Sequence, residues 1–149
     1  MALQIANSRK WEDADKLNRE SFEVVSQPDK DVAAYKSAFE KAHEASIWEP
    51  NNPIILTTLG AAQYRTGAYE EAFKTLTRAE KLRADEGDEP NPGDLAFTAM
   101  SLHQLGRGDE AKAALEQLRT LLKDERFAED EEVKALLAEA EGLIEGKRP

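Results

Sequence analysis

Apolar residues recur along most of this chain at steps of three and four, the spacing of a helix that buries one stripe. Residues 53–82 show the pattern most clearly, because a turn at Thr66-Gly67-Ala68 separates two periodic halves. The inward positions of these two predicted helices are Leu56, Leu59, Gly60, Tyr64, Tyr69, Ala72, Phe73, Leu76, Ala79 and Leu82. The same spacing predicts further helices over residues 10–25, 31–47, 92–106, 109–122 and 129–145. No segment alternates like a strand, so the predicted fold class is all-α.

Proline and glycine mark where the predicted helices begin and end. Asn52-Pro53 and Asn91-Pro92 each place a capping residue before a proline at the first helical position. Gly67 closes the helix that starts at Pro53, and a glycine closes the helix that starts at Pro92 in the same way. Residues 1–9 precede the first periodic positions and are expected to be disordered. Residues 83–91 form the longest predicted polar loop.

The chain also repeats itself. A shift of 39 residues superimposes the two central helical pairs and keeps small and apolar positions in register: Pro53 on Pro92, Leu56 on Leu95, Gly67 on Gly106 and Ala72 on Ala111. A shift of 34 residues aligns the preceding helix with the fourth one: Ala38 on Ala72, Phe39 on Phe73 and Ala45 on Ala79. Such self-similarity is typical of proteins that stack one helical unit on the next.

A helix–turn–helix unit of this length, with small residues on both helices and proline between units, resembles the tetratricopeptide repeat. The 53–82 stripe and Gly67 carry the resemblance, and the next unit keeps Leu95, Ala99, Gly106, Ala111, Leu115 and Leu121. The resemblance implies one domain over residues 10–149, a stack of about three helical hairpins. Within it we expect a degenerate repeat at 10–48, full repeats at 53–82 and 92–122, and a capping helix at 129–145.

Several short sequence segments resemble a narrower group, the C-terminal repeat segments of bacterial multidomain proteins such as serine/threonine kinases. They are Glu49-Pro50-Asn51-Asn52, the run from Leu59 to Gly67, Asp94-Leu95-Ala96-Phe97 and His103-Gln104-Leu105-Gly106. This resemblance implies that the chain is a module of a longer protein. The sequence has no glycine-rich phosphate loop, no His-Arg-Asp and no Asp-Phe-Gly, so phosphotransfer is not carried over.

Composition and charge narrow the classes of partner. The chain has 149 residues, of which 40% are hydrophobic and 34% charged, and its net charge is −10. An acidic surface argues against nucleic acid and anionic membranes, which need basic patches, and leaves proteins as partners. Cysteine is absent, which excludes disulfides and thiolate chemistry. The N-terminus has no apolar run of signal-peptide length, so the expected location is the cytoplasm.

The resemblance implies that the first helix of each pair lines a concave groove for a peptide or protein segment. The residues expected to face it are Ile54, Thr57, Ala61, Tyr64, Arg65, Ala96, Met100, His103 and Gln104, joined by Asn18 or Glu20. Some of these could instead belong to the core or to plain solvent-facing surface. Two alternatives use the same architecture: self-association of a monomer into a homodimer, and regulation in cis of a larger kinase-type protein.

Chemistry of other kinds finds little support in the sequence. Glu40-x-x-His43 has the spacing of a di-iron helix, but His103 lacks a matching glutamate and such sites need the motif twice. The acidic run Asp85–Glu89 lacks the ligand spacing of an EF-hand loop. We therefore predict no catalytic residue, no metal site and no cofactor, and expect a scaffold rather than an enzyme.

Overall fold

The computed structural model describes the backbone of residues 2–146 and the side chains of residues 13–146. In this part of the chain there are seven α-helices, one short 3-10 helix and no strand, which confirms the all-α class. The α-helices are α1 (Ala2–Val25), α2 (Val32–Trp48), α3 (Pro53–Arg65), α4 (Tyr69–Asp85), α5 (Pro92–Gln104), α6 (Gly108–Leu121) and α7 (Glu131–Glu145). The 3-10 helix Glu125–Phe127 lies between α6 and α7.

Two helix boundaries differ from the expectation. Helix α1 begins at Ala2 instead of near residue 10, in a stretch that had been expected to be disordered. Its opening residues, Ala2, Leu3 and Gln4, are good helix formers. Helix α4 continues past Leu82 to Asp85, because no proline or glycine interrupts it before Gly87. Met1 and residues 147–149, which belong to the predicted N-terminal segment and domain, lie outside the described residues.

The predicted caps set the ends of the central helices. The side chain of Asn52 accepts a hydrogen bond from the backbone N–H of Ile54, and that of Asn91 accepts from Gly93 and Asp94. Each asparagine thus satisfies donors that a helix start leaves free. Gly67 (φ 86°) follows α3 in the left-handed conformation, which a side chain would oppose.

The helices pack as three antiparallel hairpins, α1–α2, α3–α4 and α5–α6, with the second helix of each hairpin against the first helix of the next. The first helices also pack on one another, α1 against α3 and α3 against α5. Helix α7 extends this row by packing on α5 and, to a lesser extent, on α6. We call the surface formed by α1, α3, α5 and α7 the first-helix face.

Small residues let the helices of the central hairpin approach closely. Ala72 and Ala79 on α4 are completely buried, and Leu76 between them is buried as well. Gly60 on α3 faces Leu76 so closely that an added Cβ would lie 2.6 Å from its Cγ and Cδ2 atoms. Gly60 therefore fixes the distance between α3 and α4, as the small residue in the pattern indicated.

Helix α7 does more than cover the last hairpin. Leu136 and Ala140 are buried in the main core. Arg119 on α6 donates hydrogen bonds to Glu141 of α7, with an Nη2–Oε2 distance of 2.5 Å. None of the helices that the structure describes is long and apolar enough to cross a membrane.

The contact at Gly60 gives a prediction for stability. The substitution Gly60→Ala pushes a methyl group into Leu76, whose side chain is completely buried, so we expect a loss of about 1–2 kcal/mol despite the better helix propensity of alanine. Urea unfolding followed by circular dichroism measures the difference.

Gly108→Ala is the matched control, since a Cβ at Gly108 meets nothing within 4 Å and its helix would gain propensity. We expect this variant to be as stable as the original chain or slightly more so. Equal unfolding midpoints for the two variants would contradict the close-approach role of Gly60.

Candidate functional site

Arg65, the last residue of α3, forms hydrogen bonds with two other helices at the first-helix face. Arg65 Nε donates a hydrogen bond to the carbonyl oxygen of Val25 at the end of α1, at 2.9 Å. Its two terminal nitrogens bind both carboxylate oxygens of Glu139 on α7, with 2.8 Å between Nη2 and Oε1. Such a two-pronged pair fixes both side chains in direction as well as distance.

Aromatic rings surround the same guanidinium group. The Arg65 Cζ atom lies 5.7 Å from the ring centroids of Tyr35 and Tyr64 and 5.2 Å from that of Phe97. The Tyr64 and Phe97 rings also meet edge to face. Cation–π attraction adds to the ion pair in this desolvated place. One arginine thus connects α1, α2, α3, α5 and α7.

This arrangement shows that Arg65 and Tyr64 do not face an open groove as predicted. The Arg65 side chain is only 5% exposed, and Tyr64 is buried. Burial raises the pKa of the Tyr64 hydroxyl above its usual value, although Gln104 beside it opposes the rise. The physical reason is α7, whose Glu139 binds Arg65 and covers this end of the face.

The other predicted groove residues divide into two groups. Ala61, Ala96 and Met100 are buried in the core, so the prediction that they face a groove is wrong for these side chains, whereas Thr57 is 7% exposed and still borders a cavity. The three core residues fill space where first helices pack on each other or on their hairpin partners. Ile54, at 59% exposure, His103, which is half-buried, and Gln104 remain accessible.

A second buried ionic network lies at the opposite end of α3. Asp94 on α5 is completely buried and accepts hydrogen bonds from the Thr57 hydroxyl at 2.5 Å and from Arg83 Nε at 3.1 Å. Arg83 Nη2 also donates to the Thr57 oxygen at 2.9 Å. Burial raises the pKa of Asp94, while Thr57 and Arg83 act in the opposite direction. The network ties α3, α4 and α5 together.

An open cavity of about 650 Å³ lies on the first-helix face, beside Thr57 and Arg83 of the second network and the start of α7. We call it the first-helix cavity. Its apolar wall combines α1, α3, the residues before α7 and α7 itself: Phe22, Ile54, Phe127, Val133 and Leu136. Ile54 and Thr57 are the two members of the predicted groove set that line it. Asn18, which the sequence suggested as an additional groove residue, lines it too.

Asn18 is the unusual residue of this cavity. It is 8% exposed, and its side-chain oxygen is shielded from solvent and has no hydrogen bond partner. It also borders a smaller neighbouring cavity of about 220 Å³. An unpaired buried carbonyl oxygen costs about 1–3 kcal/mol relative to a satisfied one. Asn18 is therefore prepared to accept a hydrogen bond from a bound N–H group.

Charges at the rim have mixed signs. Glu23, Asp130 and Glu132 contribute carboxylates, and Arg19 contributes a guanidinium group that pairs with Asp15. Burial, together with the nearby Asp130 carboxylate, raises the pKa of Glu132 above its usual value. The cavity thus offers an apolar centre with a polar border, the usual composition of a ligand site.

His43 and the acidic loop, which the sequence analysis weighed as metal ligands, make other contacts in the structure. The part of the chain that the structure describes contains no group of three His, Asp or Glu residues placed to hold a metal ion. His43 stacks on the Phe39 ring, 5.7 Å between centroids, and is exposed. In the acidic loop Asp85 pairs with Lys81 at 3.3 Å, and Glu89 pairs with Arg126.

Sequence reasoning missed the half of the cavity that α7 and the preceding turn provide. The helical stripe on α7 was visible, but it did not show which surface the helix covers. Phe127 was a usable signal, since an aromatic residue directly after the charged run Lys123–Arg126 is expected to have a packing role.

Comparison with known proteins does not assign a family. No family model matches the chain, and no curated protein matches it either. The resemblance to tetratricopeptide repeats therefore stays a prediction, and the function has to be argued from the geometry.

The Arg65–Glu139 pair predicts a strong and selective effect on stability. The substitution Glu139→Gln leaves the buried guanidinium group without its counter-charge, so we expect a loss of about 2–3 kcal/mol of unfolding free energy. Chemical unfolding of the two proteins measures it.

Glu110→Gln is the matched control. Arg107 and Glu110 form the same kind of two-pronged pair, but their side chains are 40% and 56% exposed. Water already solvates both groups, so the loss there should be much smaller. If the two substitutions had the same effect, the buried pair would not be the connection that we describe.

Proposed function

We propose that this chain is a non-catalytic interaction module that binds an extended protein or peptide segment in the first-helix cavity. The observation that carries the proposal is Asn18, a residue of the wall of an open cavity whose shielded side-chain oxygen has no hydrogen bond partner. An extended segment supplies backbone N–H groups in the direction of such an acceptor. The resemblance to tetratricopeptide repeats supports the same interpretation.

The residues that line the first-helix cavity indicate which groups of the bound segment they would contact. Phe22, Ile54 and Leu136 provide apolar surface for one or two side chains, and a volume of about 650 Å³ is sufficient for them. Polar groups at the rim remain solvated and can orient the chain of the ligand. Binding therefore combines burial of apolar side chains with one directed hydrogen bond at Asn18.

This proposal differs from the sequence prediction in location. The Tyr64–Arg65 end of the first-helix face is closed by α7, whereas the end at Asn18, Ile54 and Thr57 is open. A ligand that binds the present conformation therefore uses the start of α3, where Ile54 is the most exposed apolar residue of the cavity wall.

A library of random short peptides displayed on phage tests the proposal. Peptides selected on the full chain are measured by fluorescence anisotropy against the original protein and two variants. We expect Ile54→Arg to weaken binding at least tenfold, because a charge replaces the apolar wall, which corresponds to about 1.4 kcal/mol. Asn18→Ala should cost about 1 kcal/mol, or roughly fivefold, for one lost hydrogen bond.

Ile47→Arg is the control, because Ile47 is an equally exposed isoleucine (65%) that does not line the cavity. It should leave the affinity unchanged, and thermal unfolding of each variant verifies the fold. Peptides that bind Ile54→Arg and Asn18→Ala as tightly as the original chain would place the binding surface elsewhere.

A further inference from the structure

A second cavity lies between the second helices of the central and third hairpins. We call it the second-helix cavity, and its volume is about 690 Å³. Helices α4 and α6 form two walls, and the loop between α4 and α5 closes a third side. Among its lining residues are Glu80, Ala84, Pro90, Leu95, Gln117 and Leu121. It shares only Arg83 with the first-helix cavity.

The charge of this cavity is negative. Glu80, Asp88, Glu89 and Glu116 line it, and Arg83 is the opposing cation. Arg83 is engaged with Asp94 and Thr57, so its charge is already balanced. The cavity also lies beside the C-terminal halves of α4 and α6, where helix carbonyl groups add negative potential. These features favour a cationic ligand.

Glu80 and Asp88 are the carboxylates available to such a ligand. Glu89 pairs with Arg126 and Glu116 with Arg119, whereas Glu80 and Asp88 form no ion pair within the described residues. The two carboxylates differ in exposure, since Glu80 is partly buried and Asp88 is exposed. A cation that loses water on entering the cavity would gain most from the shielded one.

The Glu80 carboxyl group has no cationic partner within the described residues. Its Oε1 is shielded from solvent, and the nearby hydroxyl of Thr98, which is 8% exposed, is its polar neighbour. Burial, and to a lesser extent the Asp94 carboxylate, raises the pKa of Glu80 to about 7, although a hydrogen bond from Thr98 opposes the rise. A cation at the accessible side of this carboxylate would stabilise its negative charge.

The apolar residues that line the second-helix cavity favour an organic cation over a metal ion. Ala84, Pro90, Leu95, Ala113 and Leu121 give the cavity an apolar wall, which a hydrated metal ion cannot use. A lysine side chain matches both parts, because its methylene stem packs on apolar surface while its ammonium group binds a carboxylate. Gln117 and Thr120 at the exposed edge can form hydrogen bonds with the backbone of the segment that carries the lysine.

We propose that the second-helix cavity binds a lysine side chain of a partner protein, with the ammonium group at the Glu80 carboxylate and the methylene stem along the apolar wall. This surface is independent of the first-helix cavity. The module would then hold two segments, or two parts of one partner, at separate places on the stack.

An NMR titration of the full chain with N-acetyl-lysine N-methylamide tests the proposal. At pH 8 we expect signals of α4, Leu95 and α6 to shift, and the apparent pKa of Glu80 to fall when the probe is bound. The affinity should drop about tenfold between pH 8 and pH 6, because Glu80 becomes protonated while the lysine ammonium stays charged.

Three controls make the result specific. N-acetyl-norleucine N-methylamide has the stem without the charge and should bind at least tenfold more weakly. Glu80→Gln should bind the probe about tenfold more weakly, and its affinity should no longer depend on pH. This result would assign the pH dependence to Glu80 and not to the other charged groups nearby, which are Asp94, Arg83, Asp88, Glu89 and Glu116. Glu71→Gln removes the same charge from an exposed site on α4 outside the cavity and should change nothing.

Several outcomes would overturn the proposal. They are equal binding of the norleucine derivative, unchanged affinity of Glu80→Gln, or a Glu80 pKa that does not respond to the probe in the original chain. The last measurement needs no variant, so it remains decisive if Glu80→Gln folds poorly. Butylamine binding as tightly as the lysine derivative would overturn the assignment to a protein segment.

Discussion

The buried charge of Arg65 constrains the whole stack. A guanidinium group that is nearly removed from water is costly unless it is paired and hydrogen-bonded, and here Glu139, the Val25 carbonyl oxygen and three aromatic rings meet that requirement together. Each partner comes from a different helix, so the group is satisfied only when all of these helices occupy their places. The position of α7 on the first-helix face follows from this requirement as much as from its apolar stripe.

The two ionic networks hold opposite ends of α3. At its first turns Thr57 joins Asp94 and Arg83, and at its last residue Arg65 joins Glu139. Side chains in these networks are committed to the fold, whereas the stretch around Asn18 and Ile54 borders the open first-helix cavity. Because Arg83 is paired with Asp94, it is not available as a counter-ion for Glu80 and Asp88 in the second-helix cavity.

The helical pattern predicted most of the fold and little of the site. Helix periodicity, asparagine caps and small residues such as Gly60 are local signals, so the hairpins and their order followed from them. The predicted groove failed at Tyr64 and Arg65 because their environment depends on Glu139, which lies far along the chain. No spacing rule relates an arginine to a glutamate 74 residues away. Charged residues are also mostly exposed in proteins, so the sequence favoured an exposed position for both side chains.

The pairing of α7 with α3 also bears on how the chain folds. In an array where each unit touches only its neighbours, stability is roughly a sum of local terms, and the ends can unravel separately. The ion pair between Arg65 and Glu139, 74 residues apart, connects α3 directly to α7 without passing through α5 and α6. Loss of α7 would expose the centre of the stack as well as its end, so unfolding should be a single cooperative event. The slow step of folding should be the docking of the last helix, since the entropy of closing a long loop is lost before the long-range contacts form.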